Sequence, residues 1–299
     1  MYILFPGVHE IKNIKGINMI EKKNGLFIVS TPIGNLEDIS NRAIKTIKEA
    51  DIVFCENPGH SIKLLNKFGI KKKLIGLHDY NELSIISEYK DKFRKNIIVL
   101  ISDSGSPLIS DPGYKLVRHF LTNGIFVTTV PGATSIIPAL QLSSFPLNEF
   151  YFAGFFPKTD KSITDFLKKI YSINVGVVFF VSSHKILNCI KLLEKTSIDR
   201  RITIVKEITK INESVLTGYP SEIVKKIKEQ NFVLKGEFVI VLEPSGQKKV
   251  KNDIEDIYDK EILKLLTNFS LTDVVQIVHN LTNIKKTEIY RKALKLKND

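Results

Sequence analysis

From residue 26 onward, short apolar runs alternate with segments whose apolar residues recur at helical spacing. This alternation constrains the fold more than any other feature of the 299-residue sequence. Residues 26–30, 52–55, 74–77, 97–101 and 125–130 are apolar runs too short for helices, and each predicts a buried strand. Between them lie Ile39, Ala43, Ile47 and Ala50, then Ile62, Leu65 and Phe68, then Leu83, Ile86, Tyr89 and Phe93, each set on one helical face. Asp38 is placed to cap the first of these helices, and Asn57-Pro58-Gly59 breaks the chain after the second run. A further helix over 114–121 stops before Gly124. Strands alternating with helices give a mostly parallel sheet covered on both faces.

A second set of elements follows residues 143–147, which read as a hinge containing Pro146. Strands are expected at 150–156, 175–181, 202–206, 214–217 and 237–242, with helices at 163–170, 186–193 and 223–227. Some of these strands follow one another directly, so the second sheet should be mixed. Residues 245–253 are polar and Lys-rich, a linker, and helices over 254–266, 271–281 and 287–296 close the chain. Ser270-Leu271-Thr272-Asp273 has capping-box spacing at the start of the middle one. The expected organisation is an N-terminal extension over 1–24, an α/β domain over 25–143, a second α/β domain over 148–245 and a helical tail over 254–299. Residues 1–16 have neither the basic start nor the apolar core of a signal peptide, and Met19 lies just before the first strand. They read as a loose extension or an overlong start.

Composition narrows the function. The longest apolar runs are about five residues, against the roughly 20 that a membrane-spanning helix needs. Cys55 and Cys189 are far apart with no clustered His or Cys, which excludes a thiolate zinc site and a disulfide scaffold and fits a reducing cytoplasm. The net charge of +12 invites a nucleic-acid partner. The basic residues are 38 Lys and only 6 Arg, beside 42 Ile, the bias of an AT-rich genome, so a solvated Lys surface is an equal reading.

Ligands of parallel sheets bind beyond the carboxyl ends of the strands. Three loops there are rich in small and polar residues. The first runs through Thr31, Pro32, Ile33, Gly34 and Asn35 to Leu36. The second holds Ser102, Asp103, Ser104, Gly105, Ser106, Pro107 and Leu108, and continues through Ser110 and Asp111 to Gly113. The third is Pro131, Gly132, Ala133, Thr134 and Ser135. Residues 96–157 set Lys115 and Arg118 against Asp103, Asp111 and Glu149, a net of −1 in an otherwise basic chain. Neither GxGxxG nor GxxxxGK[ST] occurs, which argues against a dinucleotide or P-loop site. A ligand with a cationic centre is easier to place here than a phosphate. The plainer alternative is that Asp111 caps the helix at Tyr114 and the prolines only turn the chain.

These loops resemble the signature blocks TPIGNL, SDAGTPLISDPG and PGxS of the ribosomal small subunit methyltransferase I family, within the tetrapyrrole methylase superfamily. The resemblance extends through Gly154-Phe155-Phe156-Pro157-Lys158, Lys206-Glu207-Ile208-Thr209-Lys210 and Gly236-Glu237-Phe238 to Glu288-Ile289-Tyr290-Arg291, covering about residues 25–296. It implies two α/β domains with S-adenosylmethionine in the cleft between them, held by the three loops. It also implies a homodimer, and methylation of the 2′-hydroxyl of a decoding-centre cytidine in 16S rRNA, as naked RNA or in the assembled small ribosomal subunit. No metal is required, because a methyl on sulfonium sulfur is already activated.

The chain departs from the family at Glu56-Asn57-Pro58-Gly59, where Glu-Asp-Thr-Arg is usual, although His60 is kept. A phosphate contact by that Arg would have to be absent or supplied by Lys63. Val181-Ser182-Ser183-His184-Lys185 stands where Glu-Ala-Pro-His-Arg is common, and Lys206 replaces an Arg. A ribose hydroxyl is a weak nucleophile that must be aligned and relieved of its proton. Glu56 and Glu207 are the candidate bases. His60, Lys63, Lys158, Lys206, Lys210 and Arg291 are candidates for RNA contacts, with the basic tail behind them. The alternatives are a corrin-type methyltransferase of the same superfamily and a non-catalytic RNA-binding protein.

Overall fold

The computed structural model describes residues 24–196, 200–229, 232–245, 259–282 and 285–298. The expected N-terminal extension up to residue 23, the 245–253 linker after its first residue and the first turn expected at 254–258 lie outside them. Strands β1 (Gly25–Val29), β2 (Ile52–Cys55), β3 (Leu74–Gly76), β4 (Ile97–Ile101) and β5 (Val127–Val130) form one sheet in the order β3-β2-β4-β1-β5. Every pairing in it is parallel. The central strand β4 is buried along its whole length. Its alternate side chains serve two cores, as a period of two requires. Ile97, Val99 and Ile101 pack with Ala43 and Ile47 of α1 (Asn41–Glu49) and Leu65 of α2 (Pro58–Lys67). Ile98 and Leu100 pack with Ile85 and Ile86 of α3 (Glu82–Tyr89) and Leu116 and Phe120 of α4 (Tyr114–Thr122).

Two capping assignments differ from the sequence reading. Asp38 lies in a 3-10 turn, Leu36–Asp38, whose cap is Asn35. That turn delays α1 until Ser40, whose hydroxyl accepts the Ala43 N–H at 3.1 Å. Helix α4 begins at Gly113 with no cap from its own side chains. Glu82 of α3, only 2 % exposed, supplies the acceptors instead, taking the N–H groups of Gly113 at 3.3 Å and Leu116 at 3.1 Å. The end of the 102–113 loop is therefore fastened to a different helix, and Asp111 is left without a capping role.

The second sheet contains β6 (Phe150–Phe155), β7 (Gly176–Ser182), β8 (Ile202–Lys206), β9 (Ser214–Gly218) and β10 (Glu237–Leu242), in the order β6-β7-β10-β8-β9. Only β6 and β7 are parallel, and the sheet is mixed. One face is covered by α6 (Asp160–Ser172), α7 (Ile186–Lys195) and α8 (Pro220–Glu229). The other meets α5 (Ile136–Leu142), for which the sequence reading had no element. Ala139 and Leu140 of α5 pack with Val178, Val205, Val239 and Val241, and Ile33 of the first loop joins them. Pro138 falls in the first turn of α5, where no N–H is needed by the helix. Thus α5 follows a strand of the first sheet but packs on the second.

Both sheets belong to one compact unit reaching to Pro244, and the residues from Ser245 form another. In the latter, α9 (Asp259–Leu266), α10 (Leu271–Thr282) and α11 (Lys286–Asn298) enclose Ile262, Val274, Val278, Ile289 and Ala293. Ser270 caps α10 by accepting the Asp273 N–H at 3.2 Å, as its spacing predicts. Among the described residues no helix is long and apolar enough to cross a membrane.

Candidate active site

The strand order explains how three loops distant in sequence become one structure. β4, β1 and β5 are neighbours, so their carboxyl ends deliver residues 102–113, 31–36 and 131–135 to the same edge. Thr31 and Gly105 exchange both backbone hydrogen bonds, at 2.9 and 3.1 Å. The Thr31 hydroxyl donates to the Ser102 carbonyl at 3.2 Å. Ser106 bonds the Ser30 hydroxyl at 3.0 Å and donates to the Ala133 carbonyl at 3.3 Å. Leu108 and Ser110 hold φ of 74° and 70°, a left-handed conformation that costs roughly 1–3 kcal/mol per residue and persists only where neighbours enforce it.

A cavity of about 410 Å³ opens beside this assembly, lined from both sheets. Asp103, Ser104, Ser110, Asp111, Thr134 and Ser135, all expected at a cofactor site, line it, and so does Glu56. The other expected loop residues form its framework. Pro32, Ser102, Gly105 and Pro107 are buried. Leu108 packs into the core beneath, and Asn35 caps its 3-10 turn. Gly34 sits so close to the second half that an added Cβ would lie 2.4 Å from Lys210 Cγ and 3.2 Å from the Ile208 carbonyl. Gly132 leaves room for Ser30, Pro131 precedes it at the end of β5, and Ala133 offers its carbonyl to Ser106. Sequence reasoning missed the wall given by the second half, chiefly Phe155, Phe180, Ser182 and Glu237. Its signals in the sequence were the Gly154-Phe155 and Gly236-Glu237 pairs and the Val181-Ser182-Ser183 segment.

The first-half wall is acidic. Burial, with the charges of Glu56 and Asp103 nearby, pushes the Asp111 carboxyl up to about 6. Burial, then Asp103 and Asp79, also raises Glu56. Asp103 is steadied by the Asn57 N–H, 3.2 Å from its Oδ1. Carboxyls crowded in this way are stabilised by a cation placed among them. Of the two expected bases, Glu56 alone lines the cavity. Although burial opposes it, the Glu237 N–H and Lys210 hold Glu207 below its ordinary range. Glu207 Oε1 accepts the Glu237 N–H at 2.8 Å and lies 3.0 Å from Lys210 Nζ, which also pairs with Glu237. That oxygen is committed to this turn.

The expected RNA contacts divide similarly. Lys206 is 8 % exposed, its ammonium 5.3 Å from the centre of the Phe232 ring, and Lys210 is held by two carboxylates. Lys206 is thus buried, whereas Lys210 is half-buried with its ammonium paired. His60 and Lys63 are exposed on α2 and Lys158 is exposed just before α6. Arg291 is exposed on α11, in the other compact unit.

Two α/β sheets, with an acidic, hydroxyl-rich cavity at the carboxyl edge of the parallel one, make a site whose charge and size suit a small cationic ligand. The sequence model of the tetrapyrrole (corrin/porphyrin) methylases matches residues 25–223. A protein of Rickettsia prowazekii (strain Madrid E) named ribosomal RNA small subunit methyltransferase I is 38% identical over 277 residues, covering 90% of this chain and 95% of the relative. Its namesake in Escherichia coli O157:H7 is 32% identical over 271 residues, covering 90% and 94%. The crystal structure of a diphthine synthase superposes with a TM-score of 0.55 at 14% identity, over 73% of this chain and 89% of that one, a likeness of fold alone. The chain belongs to the tetrapyrrole methylase family and, within it, to the ribosomal RNA small subunit methyltransferase I family.

Proposed function

We propose that this protein transfers a methyl group from S-adenosylmethionine to the ribose 2′-hydroxyl of a decoding-centre cytidine in 16S rRNA, within the cytoplasm and as a homodimer. The observation that carries the reading is the acidic cavity bordered by the three interlocked loops in a chain of this family. The residues present suit the donor. The cavity volume lies in the range of small-molecule sites, roughly 300–1,000 Å³. Asp103 and Asp111 would balance its positive charge, and Ser104, Thr134 and Ser135 offer hydroxyls to a nucleoside. When bound, S-adenosylmethionine supplies a methyl group already activated by its sulfonium.

The chain's own task is to align the ribose hydroxyl and take its proton. Holding two reactants in line is worth up to roughly 7–11 kcal/mol. Glu56 is the proton acceptor in this reading. It lines the cavity, and its raised pKa brings it closer to the neutral range in which a base works best. His60, Lys63 and Lys158 would meet RNA phosphates, with Arg291 and the basic tail extending the contact.

The test is transfer of labelled methyl to unmodified small ribosomal subunits and to naked 16S rRNA. Asp103→Asn serves as the control, because it removes a charge yet keeps an oxygen for the Asn57 N–H. Alkali-resistant label at one ribose is expected, with at least a tenfold loss of kcat/KM in the variant. Cofactor binding without transfer to either RNA substrate would defeat the reading and favour a small-molecule acceptor.

A further inference from the structure

The second-half wall contains an aromatic ring that the fold takes trouble to expose. Along β6, Tyr151 and Ala153 pack into the core under α6–α8, whereas Phe152 belongs to the opposite face with Phe180. Strict alternation would send residue 155 to the side of Tyr151 and Ala153. The pairing with β7 slips at this point. Phe152 is opposite Val178 and Phe155 opposite Phe180, so three steps on β6 match two on β7. This β-bulge contains Gly154 at φ 72°, with nothing within 4 Å of where a Cβ would stand. Glycine is required there by backbone conformation and not by crowding. The bulge returns Phe156 to the core under α6 and turns Phe155 to the other face, where its ring centre is 5.1 Å from that of Phe180. There Phe155 lines the cavity and remains 60% exposed. Bulges beside active sites commonly re-aim a side chain in this way.

We propose that Phe155 is the platform on which the target base of the RNA stacks while its ribose enters the cavity, an inference that rests on the function proposed above. The electrostatics of the two walls favour a base over the donor's own adenine. The carboxyls suited to the cation come from the first half, Glu56, Asp103 and Asp111. Three residues on from Phe155, Lys158 is exposed; His184, also exposed, follows the cavity-lining Ser182 and Ser183; and the Lys185 ammonium donates to the Pro157 carbonyl at 3.1 Å. The one cavity-lining carboxylate of this half, Glu237, is paired with Lys210. An exposed ring with Lys side chains in the adjoining segments has the chemistry that holds an unstacked base on a phosphate chain. There is no Trp in the sequence to take this part.

The experiment compares Phe155→Ala, Phe155→Leu and Phe155→Tyr with the unaltered full chain. The readouts are the Kd for S-adenosylmethionine by calorimetry, and kcat and KM for methylation of unmodified small subunits. Phe155→Ala and Phe155→Leu are expected to lose about tenfold or more in kcat/KM, the size of one lost stacking contact. Phe155→Tyr is expected within about threefold of the original, and the cofactor Kd within about twofold throughout. Phe155→Leu keeps apolar packing against Phe180 and carries the test if Phe155→Ala does not fold. Unchanged kcat/KM in Phe155→Leu, or a cofactor Kd weakened in step with activity, would overturn the assignment. An unaltered chain inactive on both RNA substrates would overturn the parent function as well, whereas an active chain indifferent to Phe155 overturns this inference alone.

Discussion

Asp111 gives the sharpest test of an acidic site built for a cation. Burial, then Glu56 and Asp103, raises its carboxyl from an ordinary 3.8 to about 6. If the ionised carboxyl is what a cationic ligand requires, the apparent Kd grows as the proton returns. Relative to full ionisation it is about 1.1-fold weaker at pH 7, twofold at pH 6 and roughly 11-fold at pH 5. The loss between pH 7 and pH 5 is therefore about tenfold, or ~1.4 kcal/mol. Folding stability runs the other way. A carboxyl whose folded pKa is raised favours the folded state most fully below pH 3.8, and that contribution is lost as pH rises through about 6. Asp111→Asn is thus expected to weaken cofactor binding at pH 7 while stabilising the fold there by about 1 kcal/mol, after allowing for solvent screening. Calorimetric titration with S-adenosylmethionine from pH 5 to 7 measures the slope in both proteins. S-adenosylhomocysteine, neutral at sulfur, should give a shallower one. A flat profile in the unaltered protein, or the same slope in Asp111→Asn, would refute the reasoning and move the titration to another group, Glu56 first.

Glu82→Ala removes both acceptors at the start of α4 and should cost about 3 kcal/mol, read as a lower urea midpoint and faster exchange of the Gly113 and Leu116 amides. Glu82→Gln, with one acceptor oxygen, should recover part of that loss, and protection unchanged in Glu82→Ala would disprove the capping role. Gly34→Ala forces a Cβ to within 2.4 Å of Lys210 Cγ and should lower stability by about 1–3 kcal/mol. Cofactor affinity should fall with it, since the displaced loop is bonded to Gly105; an unchanged melting temperature would show that the two halves shift apart freely.

The fold was legible where one physical signal dominated. Strands 52–55, 97–101, 202–206 and 237–242 fall where the apolar runs predict, because strands buried on both faces leave little choice of side chain. The loops were legible because their residue types are costly to keep without a ligand or a tight turn. Legibility failed where the deciding partner lies far along the chain. The capping of α4 by Glu82 crosses more than thirty positions, so Asp111 looked like a cap merely by being adjacent. For Lys206 and Lys210 the sequence shows charge but not the Phe232 ring beside the first or the Glu207 and Glu237 carboxylates beside the second. The cavity's second wall depends on a one-residue bulge, and alternation alone sends Phe155 to the wrong face.

One segment in which the chain departs from the family blocks, residues 56–59, is accounted for by local structure. Asn57 is the N-cap of α2, its side chain accepting the N–H groups of Gly59 and His60 at 3.0 and 3.3 Å. Pro58 occupies the first helical position, where its fixed φ suits the helix and its missing N–H is not needed. The Asn57 N–H stays free of the helix and donates to Asp103. Asn57 and Pro58 thus make the helix start, and the Asn57 N–H orients a cavity carboxylate, with Glu56 directly after β2. The replacement of an acid, a Thr and an Arg falls at the start of α2, and Lys63, one turn along from Gly59, is exposed and would stand in for the lost cation if RNA phosphate reaches this helix. A Lys at that place offers a point charge and not a bidentate fork, so phosphate contact there should depend on salt without selecting a phosphate geometry.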